Sequence, residues 1–120
     1  MSLDRVTLDN AVYKVGKPAP GGLAGRMAEH AGPVAAFLKA LSHEGRLMIL
    51  CHLAAGERSV TELEDLLGQR QAAVSQQLAR LRLEGLVSTR RDGKAIYYAV
   101  RDPRVLELLG LLSGMIDRKA

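Results

Sequence analysis

The spacing of apolar positions divides the chain into a long helical stretch, a short strand-like stretch and a helical end. From about Ala24 to Leu41, the residues Met27, Ala31, Val34, Leu38 and Leu41 recur at intervals of three and four, as on one face of a helix. Gly32-Pro33 falls inside that stretch and predicts a kink or two short pieces. A second helix is predicted from Ser42 or His43, with Leu47, Leu50, Cys51 and Ala54 as its inward stripe and Gly56 as its stop. Ser59-Val60-Thr61-Glu62 has the form of a capping box, and a short helix carrying Leu63, Leu66 and Leu67 then runs to Gly68. A fourth helix begins near Gln71, turns Val74, Leu78, Leu81 and either Leu83 or Leu86 inward, and ends at Gly85.

The period then changes. Leu86–Arg91 and Ala95–Val100 are β-prone runs on either side of Asp92-Gly93, a strong hairpin signal. Asp102 and Pro103 have the residue types of an N-cap and a first helical position. The helix they open carries Val105, Leu106, Leu108, Leu109, Leu111, Leu112, Met115 and Ile116, and is apolar around most of its circumference. The expected fold is therefore mainly α, with five helices and a β-hairpin between the fourth and fifth. Residues 1–22, which include the breaker cluster Lys17-Pro18-Ala19-Pro20-Gly21-Gly22, are expected to be an irregular N-terminal extension to a domain spanning 23–120. There are no internal repeats.

Composition supports a helical core. Apolar residues make up 48% of the 120 residues and aromatics 3%, so the core must be built from Leu, Val, Ala, Ile and Met. No apolar run approaches the roughly 20 residues that cross a bilayer. The start Met1-Ser2-Leu3-Asp4-Arg5 has no basic-then-apolar pattern, so no signal peptide is expected. The single cysteine, Cys51, excludes an intrachain disulfide. A soluble cytoplasmic protein without membrane association is the expectation.

Charge adds a location. The net charge is +4, but residues 69–101 hold seven cations (Arg70, Arg80, Arg82, Arg90, Arg91, Lys94, Arg101) against two anions (Glu84, Asp92). A basic surplus confined to one supersecondary unit fits a polyanionic partner. A short helix, a tight turn and a longer helix make a helix-turn-helix, whose second helix can enter a DNA major groove. Its first residues include Gln71, Ala72, Ala73, Ser75 and Gln76. Gln can pair with adenine, Ser can donate or accept, and Ala can meet a thymine methyl. Arg80 and Arg82 lie further along, where phosphate is the expected partner. The hairpin tip Arg90-Arg91-Asp92-Gly93-Lys94 forms a cationic wing able to reach phosphates or a minor groove. The candidate DNA contacts are thus Arg70, Gln71, Ala72, Ser75, Gln76, Arg80, Arg90, Arg91 and Lys94. A Gly-rich phosphate loop, a metal-ligand cluster and a nucleophile–base pair are all missing, so no enzyme is expected.

These segments resemble the ArsR/SmtB family of bacterial repressors. The resemblance rests on Ala40-Leu41-Ser42-His43-Glu44-Gly45-Arg46-Leu47-Met48-Ile49-Leu50, on Ser59–Leu63, and on Gln71–Leu81 followed by Glu84-Gly85-Leu86-Val87. It extends through the wing Arg90–Tyr98 and covers about residues 34–112. It implies a winged helix-turn-helix homodimer, joined through the first and last helices, that presents two recognition helices to a near-palindromic operator on double-stranded DNA and represses a nearby operon. A metal or a reactive species is the family's usual inducer. The positions of its cysteine pair fall here on Ser59 and Thr61, and the last helix offers only Asp102, Glu107 and Asp117, without His or Cys. His30, His43 and His52 are scattered. No metal or other cofactor is expected.

Within the family, Leu41–Val100 looks closest to a subgroup that senses sulfide, persulfide or oxidants with two cysteines. Cys51 stands where that subgroup's second-helix cysteine would be, and the last helix lacks the partner. Cys51 is therefore a redox-sensing candidate acting alone, through a sulfenic acid or persulfide. Its place in an apolar stripe equally suits a small core hydrophobe. A regulator with no inducer of its own or with a small organic ligand stays open, as does a winged helix used for protein contact. The inducer is unknown from sequence.

Overall fold

A computed structural model describes residues 4–8, 11–15 and 21–118. The chain forms two compact units, Met1–Ala36 and Phe37–Ala120. In the first, β1 (Asp4–Leu8) pairs antiparallel with β2 (Ala11–Val15), in a register running from Asp4 opposite Val15 to Leu8 opposite Ala11. At residues 4–8 and 11–15 this corrects the expectation of an irregular N-terminal extension over 1–22. Val6, Thr7, Val12, Tyr13 and Val15 are β-branched or aromatic, and each strand gives the other a ladder partner. The breaker residues Lys17-Pro18-Ala19-Pro20 lie outside the described residues.

Next come α1 (Leu23–Ala28) and α2 (Ala31–Leu41). Of the two outcomes expected for this stretch, a kink or two short pieces, the second is found, so six helices are present among the described residues, five of them with eight or more residues. The break falls at Glu29-His30 and not at Gly32-Pro33. Pro33 sits in the first turn of α2, where a missing N–H costs no intrahelical bond.

The second unit is organised around α3 (Glu44–Ala54), α4 (Val60–Leu67) and α5 (Gln71–Leu83). A three-stranded antiparallel sheet, ordered β3-β5-β4, lies beside them, and α6 (Pro103–Asp117) follows. Its strands are β3 (Arg58–Ser59), β4 (Val87–Asp92) and β5 (Ala95–Val100). The β4–β5 hairpin was expected; β3 was not. Two residues are too short to carry a period, and β3 exists because Arg58 and Ser59 pair with Tyr98 and Tyr97.

Local chemistry sets the helix boundaries. The Ser59 hydroxyl accepts from the Glu62 amide at 3.1 Å, while the Glu62 carboxylate accepts from the Ser59 amide at 2.9 Å, completing the capping box. The bond from the Ser59 backbone amide is the chief cause holding the Glu62 carboxyl below its ordinary pKa. Gly68, at φ +64°, closes α4 in the left-handed conformation that makes the turn into α5 tight. Asp102 caps α6 by accepting from the Arg104 amide at 2.9 Å.

The core joins Ile49, Leu50 and Leu53 of α3 with Leu63 of α4 and with Val74, Leu78 and Leu81 of α5. Leu86, Val87, Val105, Ala40 and Leu41 complete it. The open choice on α5 resolves toward Leu86, which is buried, whereas Leu83 is 82% exposed. On α3 the inward set is Ile49, Leu50 and Leu53 rather than the expected Leu47, Leu50, Cys51 and Ala54. Cys51 and Ala54 are exposed, so the core-hydrophobe expectation for Cys51 is corrected within this chain. The reason is tertiary: α3 packs against α4, α5 and β5, which cover a face rotated from the one its spacing suggested.

Candidate nucleic-acid interface

Burial of Val74, Leu78 and Leu81 determines which way α5 faces. With about 100° between successive residues, Ala72, Gln76, Ala79 and Leu83 form a stripe opposite the buried one. All four are exposed. Gln71 and Ala73 are exposed at the first turn, and Ser75 lies half-buried on the flank. Gln76 is therefore the candidate base reader aimed most directly outward, between two alanines small enough to admit close approach. Leu83 ends the stripe with a large apolar side chain that the sequence reading did not place there.

The N-terminus of α5 is electrostatically open. Arg70, its N-cap residue, makes no capping bond through its side chain, and the first turn holds no acid. By contrast, His43, Ser59 and Asp102 cap α3, α4 and α6 with their own side chains. Unsatisfied N–H groups and the positive helix end suit a phosphate oxygen. The cations near the C-terminal end of α5 differ from each other: Arg80 pairs with Glu84 at 3.2 Å, one turn on.

The wing tip stands beside the N-terminal end of α5. In the β4–β5 register, Asp92 faces Ala95, leaving Gly93-Lys94 as a two-residue connection with Gly93 at φ +63°. Lys94, Ala95 and Ile96 line an open groove of about 240 Å³ together with Gln71 and the start of α4 (Ser59, Val60, Thr61). Lys94 and Arg91 are exposed.

Arg90 is placed differently from its neighbours. Its Nε donates to both carboxylate oxygens of Glu57, at 3.0 and 2.9 Å, and its Nη2 also pairs with Glu57. The guanidinium lies 4.7 Å from the centre of the Tyr97 ring, the residue directly across the ladder, and 3.7 Å from Asp92. The Arg90 hydrogen bond holds the Glu57 carboxyl below its ordinary pKa, and Glu57 in turn raises that of Arg90. Arg90 thus braces the base of the wing against the loop before β3.

Two residues that sequence reasoning missed belong to the site's frame. Arg46 of α3 donates from Nε to the Ala40 carbonyl at 2.6 Å and from Nη1 to Gln77 Oε1 of α5 at 3.2 Å. No local pattern signals this contact, because its partners lie on two other helices and Gln77 is 31 residues away. Gln77 also borders an open groove of about 700 Å³ on the flank of α5, shared with Ala73, His43, Met48 and His52. Among the described residues, no group of three or more His, Cys, Asp or Glu side chains is gathered closely enough to hold a metal ion. Ser59, at one of the family's metal-ligand positions, is engaged as a helix cap. No helix of the described residues is long and apolar enough to cross a membrane.

Residues 43–89 match the sequence profile of the bacterial regulatory protein, arsR family. The chain is 46% identical over 86 residues to a biofilm growth-associated repressor of Agrobacterium fabrum, covering 72% of this chain and 74% of that protein. It is 40% identical over 86 residues to the transcriptional activator HlyU of Vibrio cholerae, covering 72% and 80%. Among solved structures, the transcriptional repressor BigR from Xylella fastidiosa superposes with a TM-score of 0.77 at 40% identity, over 82% of this chain and 100% of that one.

Proposed function

The chain belongs to the arsR family of bacterial regulatory proteins and is a winged helix-turn-helix, DNA-binding transcriptional regulator rather than an enzyme; from that premise we propose that two copies bind a near-palindromic operator in the cytoplasm and repress a nearby operon. The carrying observation is on α5: an exposed stripe led by Ala72 and Gln76, an uncapped N-terminus, and a cationic tip at Arg91 and Lys94 beside it. Gln71, Ala72, Ser75 and Gln76 are assigned to base edges. Arg70, Arg80, Arg91 and Lys94 are assigned to phosphates, with Arg90 holding the wing in shape. Repression is the sense given by the names of the Agrobacterium and Xylella relatives.

The homodimer is supported by α6. Leu106, Leu111, Met115 and Ile116 are exposed around it, with Leu111 and Met115 one turn apart on one face, apolar surface of the kind that a second copy covers. A symmetric pair would set two α5 helices about one DNA turn apart.

Selection from a fully randomised duplex pool tests this assignment. The expected product is an inverted repeat with half-sites roughly 10 base pairs apart, bound with strong salt dependence. Enrichment of no sequence would refute it.

Exposure of Cys51 favours one refinement, a thiol switch. With a single cysteine in the chain, the modified form would be a sulfenic acid or a persulfide. Cys51→Ser protein should then keep its grip on the selected duplex under peroxide or persulfide while wild type lets go. Equal release by both would remove Cys51 from the mechanism and leave the inducer to another route.

A further inference from the structure

The Arg46 guanidinium joins three helices at one point. It sits on α3, half-buried, and uses its fork in two directions. One side serves the C-terminal end of α2, where carbonyls lack intrahelical partners: Nε donates to Ala40 O at 2.6 Å, and Nη2 reaches toward Lys39 O at 3.4 Å. The other side reaches α5 through Gln77 Oε1 at 3.2 Å. No carboxylate among the described residues lies within ion-pair distance of Arg46. Its charge is spent on helix ends and one amide.

A guanidinium has donors and no acceptor. Gln77 must therefore turn its oxygen to Arg46, which orients its amide and holds the middle of α5 at that height and rotation. Gln77 immediately follows Gln76, the outward base reader. A rotation of α5 that released Gln77 would swing Gln76 by the same angle.

We propose that Arg46 is a positioning residue for the recognition helix: through Gln77 it ties the rotation of α5 to the end of α2, and so sets which base edges Gln76 meets. This rests on the DNA-reading assignment of α5 made above. It predicts an effect on discrimination between sequences rather than on binding to DNA in general, because phosphate contacts tolerate a small rotation that base-edge contacts do not.

The test uses full-length protein and the duplex that wild type selects from a randomised pool, alongside a scrambled duplex of the same composition. Gln77→Ala removes the α5 attachment and leaves the Arg46 bonds to α2. The expected result is a loss of about tenfold in the ratio of selected to scrambled affinity, the worth of one charge-assisted hydrogen bond. Melting temperature should fall by only a few degrees, as the loss of one hydrogen bond requires, and the salt slope should stay close to wild type. Gln77→Glu, which keeps an oxygen facing Arg46, should restore much of the ratio. Arg46→Lys, which keeps the charge but loses the fork, should lower the ratio, and Arg46→Lys with Gln77→Ala should be no worse than Gln77→Ala alone. An unchanged ratio in Gln77→Ala would overturn the proposal. So would additive losses in the double variant, which would make Gln77 a DNA contact in its own right, or a fall in melting temperature with equal weakening on both duplexes, which would make the bridge merely structural. If wild type itself selects no sequence, the DNA-reading assignment has failed instead.

Discussion

Alanine at Arg91 and Lys94 together, compared with alanine at Arg90 alone, separates two kinds of wing cation. Sequence puts three cations at the tip; the structure neutralises one. Arg90 and Glu57 form a bidentate pair stacked on Tyr97, and a pair with no net charge displaces no counterions when DNA arrives. Arg91 and Lys94 are exposed and make no ion pair among the described residues. In a dimer, Arg91→Ala/Lys94→Ala removes four cations. At about 0.9 in slope per phosphate contact, the plot of log affinity against log salt should flatten by about 3.6. Raising salt fourfold should then cost wild type roughly 150-fold more affinity than the variant. Arg90→Ala should weaken binding by a similar factor at every salt concentration, because the wing loses its brace while the slope stays. Fluorescence anisotropy of a labelled duplex from low to moderate salt measures both. A slope change for Arg90→Ala as large as that for Arg91→Ala would refute the reasoning, since it would mean that the Glu57 pair opens onto DNA.

Three further predictions rest on single elements. Ser59→Ala removes the cap of α4 and half of the capping box, and should lower unfolding free energy by about 1 kcal/mol in urea titration with unchanged slope. The Asp102 carboxyl is held below its ordinary pKa, first by its hydrogen bond from the Arg104 side chain and then by the Arg104 amide. A depressed carboxylate contributes stability that is present above the unfolded pKa and is lost as pH falls through the folded one. Melting temperature should therefore drop as pH falls below about 4, and less steeply in Asp102→Asn, whose amide still caps α6 without titrating. Leu111→Asp with Ile116→Asp, at residues 60% and 79% exposed in the single chain, should produce a monomer by light scattering that still melts cooperatively, at a temperature lowered by the loss of its partner. A persistent dimer would move the interface off α6.

Much of this protein was legible in the order of its residues because the relevant forces are local. Ser59 with Glu62, Gly68, Gly93 and Asp102-Pro103 act within a few residues of themselves, so caps, turn and hairpin followed from spacing. The period of Val74, Leu78 and Leu81 showed which face of α5 would be buried. The resemblance to the family added the expectation of a dimer and an operator.

Tertiary structure decided what depends on distant partners. The exposed side of α3, and with it Cys51, followed from which elements pack against that helix. The brace on Arg90 depends on Glu57, 33 residues away, so a triplet of like charges became one structural and two free. The bridge from Arg46 to Gln77 links helices whose separation in sequence conceals their contact. A capping box carries its partners within one turn of chain, whereas a guanidinium acquires its role only when the folded chain delivers its acceptors.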